Sequence, residues 1–251
     1  MLKGSLLREI HISPTVIPLF NIALAFIPVA GLLVVLYLWS IDALHALYGV
    51  TRMLVQLLLI GYPLTFVFDA NHAGIILGVL VVMVCAANWI ALGNVPEQRT
   101  RLLAQALLAI AVVGAGTLAL VTQVVLDLSS WYTPQYVIPL AGMTFATSMN
   151  CGSLAVERLT AELSRDVPYQ EACTIALNAS LIPNINSLFA AGLVSLPGIM
   201  TGQILSGIDP FIAARYQIMV MCMLFKSQGF SAVLFLILMR PRLARNEAAE
   251  Y

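Results

Sequence analysis

Residues 172–208 have the sequence ACTIALNASLIPNINSLFAAGLVSLPGIMTGQILSGI, without one Asp, Glu, Lys or Arg. As a single α-helix these 37 residues would extend about 55 Å, well beyond the hydrocarbon core of a bilayer, which is about 30 Å thick. The run must therefore break, and Pro197-Gly198 indicates the place.

This break predicts three elements. A spanning helix covers 173–195, and an irregular connection covers 197–208. Asp209-Pro210 has the pattern of an N-cap followed by proline at the first helical position. We therefore predict a last helix from Pro210 to about Met239.

The composition of the whole chain supports a membrane protein. Of 251 residues, 61% are hydrophobic and only 10% are charged, whereas about a quarter of a soluble domain is charged. Twelve basic residues balance twelve acidic ones, which argues against a nucleic-acid partner, and the four Cys residues lack the spacing of a disulfide scaffold. The sequence therefore predicts an all-α, polytopic helical membrane protein.

Other uncharged runs locate the remaining spans. Runs of 25 to 32 residues follow Glu9, Asp69, Arg101 and Asp127. The run after Arg52 has only 16 residues, which is short for a membrane span. It becomes long enough to span the membrane if residues 48–51 belong to it and the Arg52 side chain extends to the membrane interface. We predict seven transmembrane helices in a single domain that covers 1–251. Their approximate bounds are 15–39, 49–68, 73–92, 103–126, 135–156, 173–195 and 210–239.

The basic residues predict the orientation. With seven spans, eight of them fall on one side: Arg52, Arg99, Arg101, Arg158, Arg165, Arg240, Arg242 and Arg245. The other side has Lys3, Arg8 and Arg215. Because cytoplasmic segments carry the excess of Lys and Arg, we expect the N-terminus outside and the C-terminus in the cytoplasm. Residues 1–13 are predicted to form a short interfacial helix.

The common catalytic motifs are missing from the sequence. A Walker A loop needs Gly-Lys-Ser/Thr, but Phe225 precedes Lys226-Ser227 and the only other lysine is Lys3. No H-E-x-x-H, G-x-S-x-G or C-x-x-C pattern occurs. We therefore expect a protein that is not an enzyme, with no catalytic residues, and the sequence leaves any metal ligands unknown.

Polar residues within the predicted spans are candidates for a transport pathway. Arg52 and Gln56 share one helix face, although Arg52 could instead extend to lipid phosphate while Gln56 packs. Asn184 and Asn186 follow Pro183, where they could line a pathway or compensate for the carbonyl that the proline leaves free.

Lys226 is the most unusual of these candidates. It lies in the middle of the last span, where a charge indicates a functional site unless the helix is displaced so that Lys226 lies nearer an interface. Asn88 and Asn150 are better explained as hydrogen-bonding residues between helices.

Several stretches resemble the FetB-type permeases, the membrane subunits of a bacterial ABC transporter associated with iron export; plant relatives are associated with aluminium tolerance. The stretches are 194–205 (VSLPGIMTGQIL), Gly207, 209–210 (DP), 214–219 (ARYQIM), 52–61 (RMLVQLLLIG), 137–143 (VIPLAGM), and 181–183 (LIP) with 185–187 (INS). The resemblance implies a homodimeric, multi-pass protein of the bacterial inner membrane. It also implies a separate ATPase subunit that binds ATP, so that this chain itself binds no cofactor.

With this resemblance the predicted sites become two sets. The transport pathway would include Arg52, Gln56, Asn184, Asn186, Gln203 and Lys226. The cytoplasmic segment 157–172 would dock on the ATPase through Glu157, Arg158, Glu162, Pro168 and Glu171; without the resemblance it would be an ordinary solvated face.

Two features depart from the family pattern. The 157–172 segment is shorter than its counterparts, which puts the usual ATPase partner in question. Lys226 stands where a small or apolar residue is expected, and a fixed positive charge in a pathway repels cations.

The sequence therefore favours a permease subunit of an ABC-type transporter for metal export, with iron as the expected metal. A permease for an anionic or nucleotide-sugar-like solute is the first alternative. A membrane scaffold or assembly factor that does not transport is the second.

Overall fold

The computed structural model describes residues 17–69, 72–93, 95–96 and 99–247, and at Leu19 and at 240–247 it describes the backbone alone. The regular secondary structure of these residues is helical, which confirms the all-α prediction. The helices are α1 (Leu19–Leu24), α2 (Phe26–Leu38), α3 (Ala43–Phe68), α4 (Ala73–Ala91), α5 (Arg99–Leu120), α6 (Pro134–Leu163), α7 (Tyr169–Ala190), α8 (Gly198–Leu205) and α9 (Pro210–Glu247). A π-helical turn, Val121–Val125, continues α5. The interfacial helix predicted for 1–13 lies outside the described residues.

Two long helices begin at aspartate caps. The Oδ1 atom of Asp42 accepts the backbone N–H of His45 at 2.9 Å and starts α3. The Oδ1 atom of Asp209 accepts the N–H groups of Phe211 at 2.9 Å and Ile212 at 3.3 Å. Pro210 occupies the first position of α9, where its missing N–H costs no helical bond. The predicted cap at Asp209 is therefore confirmed, and α9 continues eight residues beyond Met239 to Glu247.

The uncharged run 172–208 breaks earlier than predicted. Helix α7 ends at Ala190, whose carbonyl accepts the N–H groups of Val194 at 2.9 Å and Ser195 at 3.0 Å in a tight turn. Gly192 has φ of +82° in this turn, a conformation that glycine adopts without a steric penalty.

The irregular connection predicted over 197–208 is wrong, because α8 occupies Gly198–Leu205. The Thr201 N–H donates to the Pro197 carbonyl at 3.0 Å, so Pro197 precedes the first turn of a helix. A proline there removes no intrahelical bond, which is why it starts a helix here instead of marking a gap.

Five described helical stretches are long and apolar enough to cross a membrane: Phe20–Leu38, Ala43–Phe68, Ala73–Ala91, Arg99–Val125 and Pro210–Met239. They correspond to the first four predicted spans and the last one. Helix α6, with 30 residues, covers the fifth predicted span, and α7, with 22 residues, covers 173–190 of the sixth, but both are more polar than the five stretches. The described chain is thus a multi-pass helical protein with five such stretches.

The described chain divides into two compact units. The first consists of 17–69 with 205–207 and contains α1, α2 and α3. Helices α2 and α3 pack as a hairpin whose connection includes Ser40, with φ of +57°. No described side chain of α2 or α3 is buried.

The second unit contains α4 to α7, most of α8, and α9, and α6 lies at its centre, in contact with α4, α5, α7 and α9. Two apolar clusters fill this unit. One surrounds Leu159 and Met239, and the other surrounds Leu140, Phe145 and Val220. Because α6 is enclosed by four helices, it can carry polar side chains that a lipid-facing helix could not.

Candidate functional site

A group of buried hydroxyls lies between the two apolar clusters, at the contact of α6 with α9. Ser148 Oγ lies 3.0 Å from Ser227 Oγ and accepts the hydroxyl of Ser231 at 3.2 Å. All three side chains are buried, and we call them the serine cluster. On α6, Ser148 lies between Phe145 of one apolar cluster and Cys151 of the other, so this polar layer separates the two apolar layers. The buried hydroxyls thus form hydrogen bonds with one another.

A second polar contact joins α6 to α7 one turn further along. The thiol of buried Cys151 donates to the carbonyl of Ser180 at 3.6 Å. Ser180 itself donates to the Leu177 carbonyl at 2.8 Å within α7. The thiol lies three residues after Ser148, on the same helix face, so α6 makes polar contacts with both α7 and α9 in its middle.

The 157–172 segment consists of the last two turns of α6, a turn at 164–168 and the start of α7. Glu162 is buried, with a side chain only 6% exposed. Its Oε1 lies 2.6 Å from Arg158 Nη2 and 3.7 Å from Arg165 Nη1. The two arginine side chains are 44% and 67% exposed, so they present positive charge at the surface while Glu162 holds them. Glu162 is thus too buried to meet a partner protein directly.

The same segment is fixed to the helical bundle. Tyr169, the first residue of α7, donates its hydroxyl to the Leu236 carbonyl of α9 at 2.6 Å. Val167 and Leu163 pack on the apolar cluster around Leu159. The predicted docking residues Glu157, Arg158, Pro168 and Glu171 are exposed at this end of the unit. A movement of the exposed turn would therefore be transmitted to α6, α7 and α9 together.

Lys226 lies in a groove between α5 and α9. The groove has a volume of about 470 Å³. Besides Lys226 its lining is aliphatic, aromatic or glycine: Val112, Val113, Gly116, Phe230, Val233, Leu234 and Ile237. The neighbouring residue Ser227 contacts Ser148 of the serine cluster instead, so these two consecutive residues of α9 lie on different faces of the helix.

The other predicted pathway residues are distributed over both units. Arg52 and Gln56 lie on α3 in the first unit, and both Asn184 and Asn186 lie on α7. Gln203, on α8, has a buried Oε1 without a hydrogen-bond partner among the described residues. Within the described part of the chain, no hydrogen bond or ion pair joins any two of the six predicted pathway side chains. Their shared role therefore stays a prediction.

Sequence reasoning missed the serine cluster and the clamp on the arginines. A signal for the cluster exists in retrospect, because Ser227 and Ser231 are four residues apart, as are Thr144 and Ser148. Such small-residue spacing allows helices to approach closely. A second missed contact is near the start of α5, where the Arg99 guanidinium lies 3.5 Å from the Trp89 ring centroid. The predicted role of Asn88 agrees with a contact between helices, since its amide donates to the Leu103 carbonyl at 3.0 Å.

The profile of the family described as "Uncharacterised protein family (UPF0014)" matches residues 19–169 and 165–244. These two ranges include nearly all of both units. The chain belongs to the UPF0014 family. The two matched ranges overlap at 165–169, inside the 157–172 segment.

Relatives in bacteria and plants extend this result. The chain is 35% identical over 208 residues to the "Probable iron export permease protein FetB" of Escherichia coli, covering 75% of this chain and 77% of that protein. It is 33% identical to the "UPF0014 membrane protein YjkA" of Bacillus subtilis, covering 76% and 81%. It is 28% identical to "Protein ALUMINUM SENSITIVE 3" of Arabidopsis thaliana, covering 74% and 72%. No solved structure shows a significant match.

These relatives and the apolar helices indicate the same cellular location. The chain is a multi-pass protein of the bacterial inner membrane, in a permease-like UPF0014 family that includes a probable iron export permease. The resemblance to FetB-type permeases is thereby confirmed.

Proposed function

We propose that this chain is the membrane permease subunit of an ABC-type transporter that exports a metal ion, with iron as the first candidate. A separate ATPase subunit would bind ATP and supply the energy, and two copies of this chain would form the pathway. Membership of the UPF0014 family and the similarity to FetB over three quarters of the chain support the proposal. In this role the chain catalyses no reaction and binds no cofactor of its own.

The proposed topology has seven spans, with α6 and α7 added to the five apolar stretches. The 30 residues of α6 extend about 45 Å, which is long enough to cross the hydrocarbon core. Its enclosure by four helices supports a spanning position, because its polar side chains find protein partners there. The N-terminus would then lie outside and the C-terminus inside, with eight basic residues on the cytoplasmic side.

The observation that carries the coupling proposal is the way in which the 157–172 segment joins the bundle. Its exposed arginines are held by buried Glu162, and Tyr169 ties it to α9. An ATPase that binds this surface would pull on α6 and α9 as one body, and α6 and α9 also share the serine cluster. Force applied at the cytoplasmic end would thus reach the centre of the membrane.

The test combines the full chain with the ABC-type ATPase encoded nearest to it, in lipid vesicles loaded with Fe²⁺ on the ATPase side. We expect no ATP hydrolysis by the chain alone, and ATP-dependent movement of iron by the complex. The double variant Arg158→Glu/Arg165→Glu should weaken ATPase binding at least about tenfold, because reversed charges at a docking surface cost affinity. Arg215→Glu, at the opposite end of α9, is the matched control and should bind normally.

Two results would contradict the proposal separately. Equal ATPase binding by the reversed variant and the wild type would remove the docking role of the 157–172 segment. A complex that hydrolyses ATP but moves no iron would show that iron is not the transported ion, without contradicting the permease role.

A permease for an anionic solute is the second candidate, and Lys226 is the observation that favours it. Its ammonium lies in the middle of α9 in a groove between two helices. If an anion crosses beside Lys226, Lys226→Ala should abolish its transport, whereas a metal exporter should keep its activity.

A further inference from the structure

The starting point is the depth of Lys226 in the membrane. It lies 16 residues after Pro210 and 13 residues before Met239, the ends of the apolar part of α9. These separations correspond to about 24 and 20 Å along the helix. Lys226 is therefore close to the bilayer centre, where a charged side chain needs a counter-charge or hydrogen-bond acceptors.

The described residues supply no carboxylate at this depth. Nine of its twelve Asp and Glu residues lie at the ends of the described helices or in connections: Asp42, Asp69, Asp127, Glu157, Glu162, Asp166, Glu171, Asp209 and Glu247. The other three, Glu9, Glu97 and Glu250, fall outside both the described residues and the predicted spans. A second copy of the chain would bring the same set. An anionic counter-charge for Lys226 would therefore come from another molecule.

The groove around Lys226 indicates which kind of molecule fits. On α9 its lining runs from Lys226 to Ile237, eleven residues or about 16 Å, and the lining residues after Lys226 are all apolar. Gly116 on α5 leaves the wall open, since a Cβ atom there would meet nothing within 4 Å. The groove has a volume of about 470 Å³, is apolar along its length and has one cation at its end. An acid with a long hydrocarbon tail fits such a groove.

We propose that the α5–α9 groove binds a long-chain carboxylic acid, with its carboxylate on the Lys226 ammonium and its tail along Val233 and Ile237. A carboxylate provides one negative charge and two acceptor oxygens for a short, charge-assisted hydrogen bond. The phosphate of a phospholipid is a poorer match, because it lies at the headgroup level, about 15 Å from the bilayer centre. The site is separate from the proposed docking of an ATPase and needs no nucleotide.

The experiment measures binding of radiolabelled palmitate to the purified full chain in nanodiscs of zwitterionic lipid. We expect saturable binding of one palmitate per chain. Lys226→Met should weaken it at least about tenfold, because a hydrogen bond to a charged group is lost, while Lys226→Arg should keep it within a few fold. Gly116→Leu, which fills the groove and keeps the charge, should also weaken binding at least about tenfold. Arg215→Gln, which removes a cation of α9 outside the groove, should have no effect.

Each competitor tests one part of the proposal. Hexadecanol has the same tail without the charge, and equal competition by it would show an apolar groove only and overturn the proposal. Effective competition by phosphatidylglycerol would identify a phosphate lipid and overturn it as well. Equal palmitate binding by Lys226→Met and the wild type, or no saturable binding at all, would also overturn it. If Gly116→Leu fails to fold, as judged by gel filtration, the contrast between Lys226→Met and Arg215→Gln still decides.

Discussion

At the scale of single residues, Glu162 has the clearest energetic role. Its buried carboxylate pairs with Arg158 and Arg165, and Glu162→Ala would leave two neighbouring cations without their shared anion. We expect the free energy of unfolding to fall by about 1–3 kcal/mol. Thermal unfolding of the purified variants in one detergent measures it.

Two further variants test whether the lost ion pairs cause this loss of stability. Glu162→Gln keeps the shape of the side chain and should lose less stability than Glu162→Ala. Glu171→Gln alters an exposed carboxylate nearby and should stay within about 0.5 kcal/mol of the wild type. A loss at Glu171 as large as that at Glu162 would contradict the proposed clamp.

The same residue shows where prediction from sequence reaches its limit. Asp209 was predictable as a cap because its partners are two and three residues away, so the local pattern contains the whole interaction. Glu162 shows an ordinary i, i+4 charge pattern with Arg158, and its burial depends on the packing of α6 in the helical bundle, which the local pattern does not contain. The pairing of Ser148 with Ser227 spans 79 residues and depends on the register of α6 against α9.

At the scale of helices, Gly114 sets how closely α5 approaches α6. A Cβ atom at this position would lie 2.5 Å from Cε1 of Phe145, whose ring is buried. Gly114→Ala forces that ring to move. We expect overpacking to lower the free energy of unfolding by about 1–3 kcal/mol, whereas the better helix propensity of alanine raises it by about 1 kcal/mol. The matched control is Gly116→Ala, also on α5, where a Cβ atom meets nothing within 4 Å and stability should stay equal or rise.

Thermal unfolding of both variants tests this contrast. Phe145→Leu replaces the ring with a smaller side chain. In the Gly114→Ala background it should therefore lower the free energy of unfolding by less than it does in the wild type. Equal stability of Gly114→Ala and Gly116→Ala would show that α5 and α6 are not in close contact at Gly114.

The positions of most helices followed from composition, but their breaks did not. Uncharged runs located five spans because the length of an apolar run is a local property. The sequence predicts the break in 172–208 at Pro197, whereas the chain turns at Gly192. Both residues disfavour a continuous helix, and the choice between them depends on what α7 and α8 pack against. Proline inside a helix is also no certain break, since α7 continues through Pro183.

At the scale of the whole molecule, the number of membrane spans does not follow from the apolarity of the helices alone. The five apolar stretches are long and apolar enough to be recognised as spans from length and composition alone. Helices α6 and α7 differ, because their polar residues are tolerable in a membrane only when other helices enclose them. The enclosure of α6 by four helices supports a span that composition does not reveal. Its insertion would then depend on the assembly of the second unit.

This reasoning leads to a topology prediction. With Cys85, Cys151, Cys173 and Cys222 replaced by Ser or Ala, single cysteines are introduced as Ser129→Cys, before α6, and Ser164→Cys, directly after it. Both positions are exposed. If α6 spans the membrane with the 157–172 segment inside, a membrane-impermeant maleimide should label position 129 in intact spheroplasts, and position 164 only after permeabilisation.

Other labelling patterns separate the alternatives. Labelling of 164 without 129 would keep the span but invert the orientation that the basic residues predict. The same accessibility at both positions would mean that α6 does not cross, although its 30 residues are long enough. The serine cluster would then lie outside the centre of the membrane, and the route by which an ATPase at the 157–172 segment acts on α9 would have to run along the surface. Labelling of 129 alone therefore supports both the seven-span count and the proposed coupling.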